Sequence, residues 1–467
     1  MPFETIQELP MSLEFLNPRR KSIDMALAPE STQMTSTPPL PPEAPRFVPE
    51  VPKTLEATGL TQVLVEDLIF KLILAKGAMT GREIAADLCL HFTVVEPILA
   101  DLKGRLLLFH KSNAGMGDFI YMLTEAGQEK GMAARDISAY VGPAPVPYRD
   151  YLVAIRLQSI RNEKPNYETL AEAFRDLIFD PTLFDTIGPA VNSGRGLFLY
   201  GEPGNGKTTI AERLASCFRN DIYIPKALYV EGQIVQLYDP QNHQPTGSED
   251  NSLIAKYDPR WIEIKRPAVM VGGELTMDAL EIKYNPVLRV SEAPLQMKAN
   301  GGVFLIDDFG RQRVSHVDLL NRWIVPLEKR VDFLTLPNGQ KIEVPFDELI
   351  IFSTNLDPKS LVDDAFLRRI PYKINVKDPT EAQFKEIFRM LCEKYSIAYD
   401  ESKVDYLIAR HYRGKRPFRG CQPRDILEQI LNMAAYRRES PVLTEELLDM
   451  ACQNYFAAMG QEVASSA

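Results

Sequence analysis

The stretch GLFLYGEPGNGKTTIAERLASCF, residues 196–218, decides the fold. Gly201, Gly206, Lys207 and Thr208 satisfy the spacing GxxxxGK[ST]. A random chain of this length holds on the order of 0.01–0.02 such matches, so the pattern is specific. Its context is equally demanding. Leu197, Phe198, Leu199 and Tyr200 form a short apolar run suited to a buried strand, and Ile210, Leu214 and Phe218 fall on one helical stripe. Strand, glycine loop and helix in that order make a phosphate-binding loop. Glycines let backbone N–H groups converge on phosphate oxygens, and the following helix N-terminus adds a favourable partial charge. Gly201, Glu202, Pro203, Gly204, Asn205, Gly206, Lys207, Thr208 and Thr209 are the expected nucleotide contacts. Lys207 is expected on the β- and γ-phosphates of ATP, and Thr208 on Mg²⁺.

About 100 residues downstream, GGVFLIDDFG supplies a second apolar strand, Val303 to Ile306, that ends in Asp307 and Asp308. Open α/β sheets place their ligands at the carboxyl ends of strands. Asp307 is expected to hold Mg²⁺ through its water shell, and Asp308 to orient or deprotonate the attacking water. Strand and helix patterns alternate through residues 194–376, which predicts an α/β class with a parallel sheet.

With both motifs in place the chain resembles the AAA+ ATPases over residues ~150–460. The resemblance extends through LIIFSTN, where Asn355 matches sensor 1, and DDAFLRRIPYKI, where Arg368 and Arg369 match the arginine finger that enters a neighbouring subunit. In GCQPRDILEQI, Arg424 matches sensor 2, which reaches the γ-phosphate from a helical lid. The resemblance implies a P-loop NTPase (AAA+) sheet with a helical lid, ATP hydrolysis with Mg²⁺, and a homo-oligomer in the form of a hexameric ring. One residue departs from the family pattern: Asp308 stands where most members have Glu. Its carboxylate reaches roughly 1–1.5 Å less far, a distance that matters to a general base, so slow hydrolysis or a supplementary acid is expected.

A hairpin is predicted within LEKRVDFLTLPNGQKIEVPFDELIIFSTN, turning at Asn338-Gly339. It resembles the pre-sensor-1 hairpin branch of the family, with its MoxR-type and sigma-54-activator members. The ~70 residues between Tyr229 and Gly301 are long for a link between two core strands and read as an insertion. In rings of this branch such insertions face the pore.

Outside the ATPase-like region, eleven of the 35 prolines fall within residues 1–53, which predicts a disordered, extended tail. Residues 54–136 give three helix patterns and then an alternating hairpin, the order of a winged helix. Residues 137–193 read as a helical linker, 194–377 as the nucleotide domain and 378–460 as the lid.

Charge bears on the partner. The whole chain carries −10, and residues 55–136 carry eight cationic against eleven acidic side chains. Duplex contact needs cations. The third helix instead offers Thr93, Glu96 and Asp101. The module therefore points to a protein client and to remodelling of a protein complex. A DNA- or transcription-linked motor binding nucleic acid is the alternative, with a nucleotide switch that hydrolyses little as the third. The basic run Arg410, Arg413, Lys415, Arg416 and Arg419 reads as a solvated loop or a contact near the nucleotide. Five scattered cysteines without CxxC, no ~20-residue apolar run and no signal-type N-terminus predict a cytoplasmic protein with reduced thiols and no membrane span.

Overall fold

The structure, a computed structural model, describes residues 46–115, 117–180, 182–246, 256–287, 289–361 and 364–457. The expected tail lies outside them over residues 1–45, as do the tip of the insertion at 247–255 and the last three residues of the expected lid.

Five strands form an all-parallel sheet: β1 Leu197–Tyr200, β2 Ala268–Val271, β3 Val303–Ile306, β4 Leu349–Thr354 and β5 Tyr372–Asn375. Their spatial order is β2-β3-β4-β1-β5. The two faces separate residue by residue, as a two-residue side-chain period requires. Phe304, Ile306, Ile350, Phe352 and Phe198 enter one core with Trp323. Val303, Leu305, Leu349, Ile351, Leu197 and Leu199 enter the other with Ile210 and Leu214 of the helix Lys207–Ser216. This α/β architecture agrees with the expectation from residues 194–376. One strand does not. β2 lies inside the stretch read as a single insertion. It is an edge strand of only four residues, whose Ala268 and Met270 face solvent, and so short an apolar run does not stand out within a long insertion.

The rest of that stretch builds a second sheet from separate parts of the chain. Its order is Lys283–Asn285, Val290–Glu292, Gln233–Gln236, Ala227–Val230 and Val146–Pro147. Alternation again assigns the faces. Ala227, Ile234 and Val290, with Tyr229, pack into the core of the N-terminal module. Leu228, Val230 and Val235 pack on Leu334, Ile342 and Val344 of the hairpin Val331–Thr335/Lys341–Pro345. That hairpin is the one the Asn338-Gly339 pair predicts.

The N-terminal module holds helices Gln62–Lys76, Gly81–Asp87 and Phe92–Gly104, then the hairpin Leu108–Gly115/Asp118–Leu123. Met79–Thr80 adds a third strand. Asp118 of the hairpin caps the second helix, accepting from Gly81 N and Arg82 N at 3.0 Å each. A closing helix, Glu125–Ile137, has no counterpart in the sequence reading. Its glycines lower helix propensity, yet they are its contact face: a Cβ on Gly127 would stand 2.1 Å from the Leu107 carbonyl oxygen. Residues 46–53, read as the end of the tail, cross the molecule as a bonded strap. Asp258 N donates to Pro49 O, and Thr93 Oγ1 donates to Lys53 O. Beneath the strap the buried pair Arg260–Asp258 closes at 2.7 Å, with Arg260 also donating to Thr58 O.

Residues 381–457 form a helical unit around Phe384, Phe388, Leu407, Ile426, Ile430 and Leu448. No helix among the described residues is long and apolar enough to cross a membrane.

At the entry to β4, Glu348 is 1 % exposed and neither carboxylate oxygen has a hydrogen-bond partner. Arg330 directs its donors to the carbonyls of Gly194 and Glu348 instead. Burial, aided by Asp347, holds the Glu348 carboxyl well above its ordinary value of 4.5. The native state therefore keeps a proton that the unfolded chain loses above about pH 4.5. This group's stabilisation is complete below that pH and declines as pH rises towards the native value. A Glu348→Gln variant should gain on wild type with rising pH, by up to about 1.4 kcal/mol per unit. Denaturant unfolding at pH 5 and pH 8 checks this; a gain that is equal at both would count against a protonated Glu348.

Candidate functional site

The phosphate loop runs from β1 to its helix past one close approach and one left-handed turn, each of which favours glycine. Gly204 has φ +85°, and a Cβ there would meet Cys421 Sγ at 2.6 Å. Gly206 caps the helix Lys207–Ser216 in the left-handed region. Lys207 is 7 % exposed and points back into the loop, donating to Gly201 O at 2.9 Å and Glu202 O at 3.0 Å. Its third bond, 2.6 Å long, goes to Asn355 Oδ1 at the end of β4. Burial lowers the Lys207 ammonium from its ordinary value, and Asp307, Asp308 and Glu202 oppose that shift.

Asn355 continues the line, because its Nδ2 donates to Asp308 Oδ1 at 3.1 Å. Asp308 has φ +49°, a conformation that costs a non-glycine residue about 1 kcal/mol. Its neighbours hold it there. Phe309 is buried between Phe198 and Phe352, and Phe309 N donates to Ser353 O at 2.7 Å. Gln312 Nε2 donates to Asp307 O at 2.8 Å. Beside this line, Thr208 Oγ1 donates to Asp307 Oδ2 at 2.7 Å. A hydroxyl and a carboxylate converging from the loop and from β3 offer hard oxygen donors of the kind Mg²⁺ takes, so this pair fits the ion.

A cavity of about 1530 Å³ opens over these groups, between the sheet and the helical unit. Pro203 to Thr209, Asp307, Asp308, Asn355 and Arg424 all line it. Gly201 and Glu202 take part through the carbonyls that hold Lys207. Arg424 is bracketed by Asp425 at 2.8 Å, itself fixed by Tyr455 Oη at 2.9 Å. The far wall is apolar, with Ile178, Phe179, Ile387, Met390 and Leu391. The cavity thus has a cationic, donor-rich end and an apolar end, the shape and chemistry of a nucleotide site.

Arg368 and Arg369 are not brought to this cavity. Arg369 Nε pairs with Glu328 at 2.6 Å, and Arg368 is exposed. Three groups at the site escaped the sequence reading. The segment Asp176–Asp180 forms part of the wall although it precedes the sheet. Asp378 follows β5 and accepts from Asn205 Nδ2 at 2.7 Å. Arg419, seen only as one of a basic run, reaches Glu202 in the loop at 2.9 Å. No local pattern marks these contacts, which join residues up to 217 positions apart.

Residues 380–454, the helical unit, match a family described as "Domain of unknown function (DUF8689)". No curated protein matches the chain. Among solved structures it is similar to NtrX from Brucella abortus, at TM-score 0.39 and 16% identity, over 71% of this chain and 67% of that one. NtrX in complex with ADP gives TM-score 0.36 and 16% identity, over 69% of this chain and 65% of that one. The Thermotoga maritima RuvB Holliday junction branch migration motor gives 0.33 and 14%, over 64% and 72%.

Proposed function

We propose that the chain is an ATPase of the AAA+ type that couples turnover to remodelling of a protein complex. The observation that carries this reading is the unbroken line Lys207–Asn355–Asp308 beside the Thr208–Asp307 pair, all in one cavity. ATP lies with its base against the apolar wall and its phosphates in the loop. Thr208 and Asp307 would hold Mg²⁺, which would supply charge neutralisation at the phosphate oxygens. Lys207 exchanges Asn355 for phosphate oxygen, its ammonium now facing a full negative charge in place of an amide dipole. That exchange frees the Asn355 carboxamide, whose other end stays on Asp308 and helps to place an attacking water. Asp308 accepts the proton of that water. Arg424 stabilises charge on the transferred group from the lid.

Arg368 and Arg369 lie away from their own cavity, as an arginine given to a neighbouring copy would. That role requires a homo-oligomer, and the family resemblance implies a hexameric ring. Turnover measured as steady-state phosphate release should fall at least about tenfold in Arg368→Ala or Arg369→Ala while nucleotide affinity holds. Unchanged turnover in both single variants and in the double would remove the trans-acting role.

The N-terminal module serves as a winged helix adapted to protein docking. Its acidic balance opposes phosphate contact. The start of its third helix, where a base-reading side chain would sit, is bonded to the strap through Thr93 and Lys53.

A further inference from the structure

The lid meets the phosphate loop through more than the nucleotide cavity. Arg419 Nη2 reaches Glu202 Oε2 at 2.9 Å, and Nη1 binds Asp378 Oδ1, in the hinge between β5 and the helix Glu381–Lys394. Asp378 also accepts from Asn205 Nδ2 at 2.7 Å. Gly420 N donates to Asn205 Oδ1 at 3.1 Å, and Cys421 N donates to Gly204 O at 2.8 Å. These two amides immediately precede the helix Gln422–Arg437, so the turn that leads into it is bonded to the loop. The Arg419 backbone is fixed beside them, because its N–H donates to the buried Gln422 Oε1 at 2.9 Å. The approach is close enough to require glycine at 204. Arg424, five residues on, lines the cavity; Arg419 grips the outside of the loop.

Resting on the nucleotide site proposed above, we infer that Arg419 is a positioning residue that ties the lid to the phosphate loop through Glu202 and Asp378, and that this tie sets the rate of nucleotide release. A loop wrapped on phosphate and bonded to the lid holds the lid closed. Opening the lid to let ADP leave breaks the arginine's two ion pairs and the bonds of that turn together.

The test is stopped-flow displacement of a fluorescent ADP analogue from the full chain. Arg419→Ala and Glu202→Gln should each speed release about three- to tenfold. In the double variant, release should be no faster than in the faster single, since both changes cut one link. Glu202 is largely exposed, so Glu202→Gln reports on the tie even if Arg419→Ala unfolds the lid. Release at the wild-type rate in Glu202→Gln, or effects that multiply in the double, overturns the inference alone. Failure of the wild-type chain to bind the analogue overturns the nucleotide-site reading and this inference with it.

Discussion

Replacing Lys207 with alanine should abolish measurable nucleotide binding. The ammonium lies on the inner face of the loop with bonds to Gly201 O, Glu202 O and Asn355 Oδ1, and it faces the phosphate end of the cavity. Charge-assisted bonds contribute about 1.5–3 kcal/mol each, and two to phosphate oxygens amount to roughly a hundredfold or more in Kd. Titration calorimetry with ATP and Mg²⁺ reads the loss directly. A thermal melt run alongside separates it from unfolding, because the variant leaves three acceptors without their donor. An affinity within threefold of wild type would make the site assignment wrong.

Asp308→Asn acts on the next step. Asparagine keeps an oxygen that can accept from Asn355 Nδ2, so the line of hydrogen bonds survives while the base is lost. Turnover should drop by about 10²–10⁴ with ATP affinity retained. Phosphate release and equilibrium binding, measured on the same preparation, check both halves. The variant held in ATP should also retain its client, and recovery of protein partners supports the remodelling reading. ATP-dependent retention on DNA with a steep salt dependence would instead reassign the chain to a nucleic-acid motor. Wild-type turnover in Asp308→Asn would show that another acid carries the proton.

The site was legible where its chemistry is written in consecutive residues. GEPGNGKT and LIDD each carry strand, turn and functional group within a dozen positions, and Asn355 follows an uninterrupted run from Leu349. The central strands were legible for the same reason, being apolar on both faces. What escaped depends on contacts across the chain. β2 is an apolar run of only four residues, Ala268–Val271, between Pro267 and the Gly272-Gly273 pair, too short to stand out inside a long insertion. The helix Glu125–Ile137 hides behind Gly127 and Gly131, which weaken it as a helix and permit it as a contact. The second sheet gathers strands from residues 146 to 292, none longer than four residues, and takes its meaning from what covers its faces.

That sheet has a mechanical consequence. It is the floor of the module's core and the roof over the hairpin, and the hairpin runs directly into β4, which carries Asn355. A shift of β4 as Lys207 lets go of Asn355 would reach the N-terminal module through stacked side chains rather than through a tether. On the proposed function, the module would then act as a lever that moves with β4. Cutting the chain near residue 136, where the sequence seems to divide, would strip one side of the lever's fulcrum and leave Ala227, Ile234 and Val290 facing water.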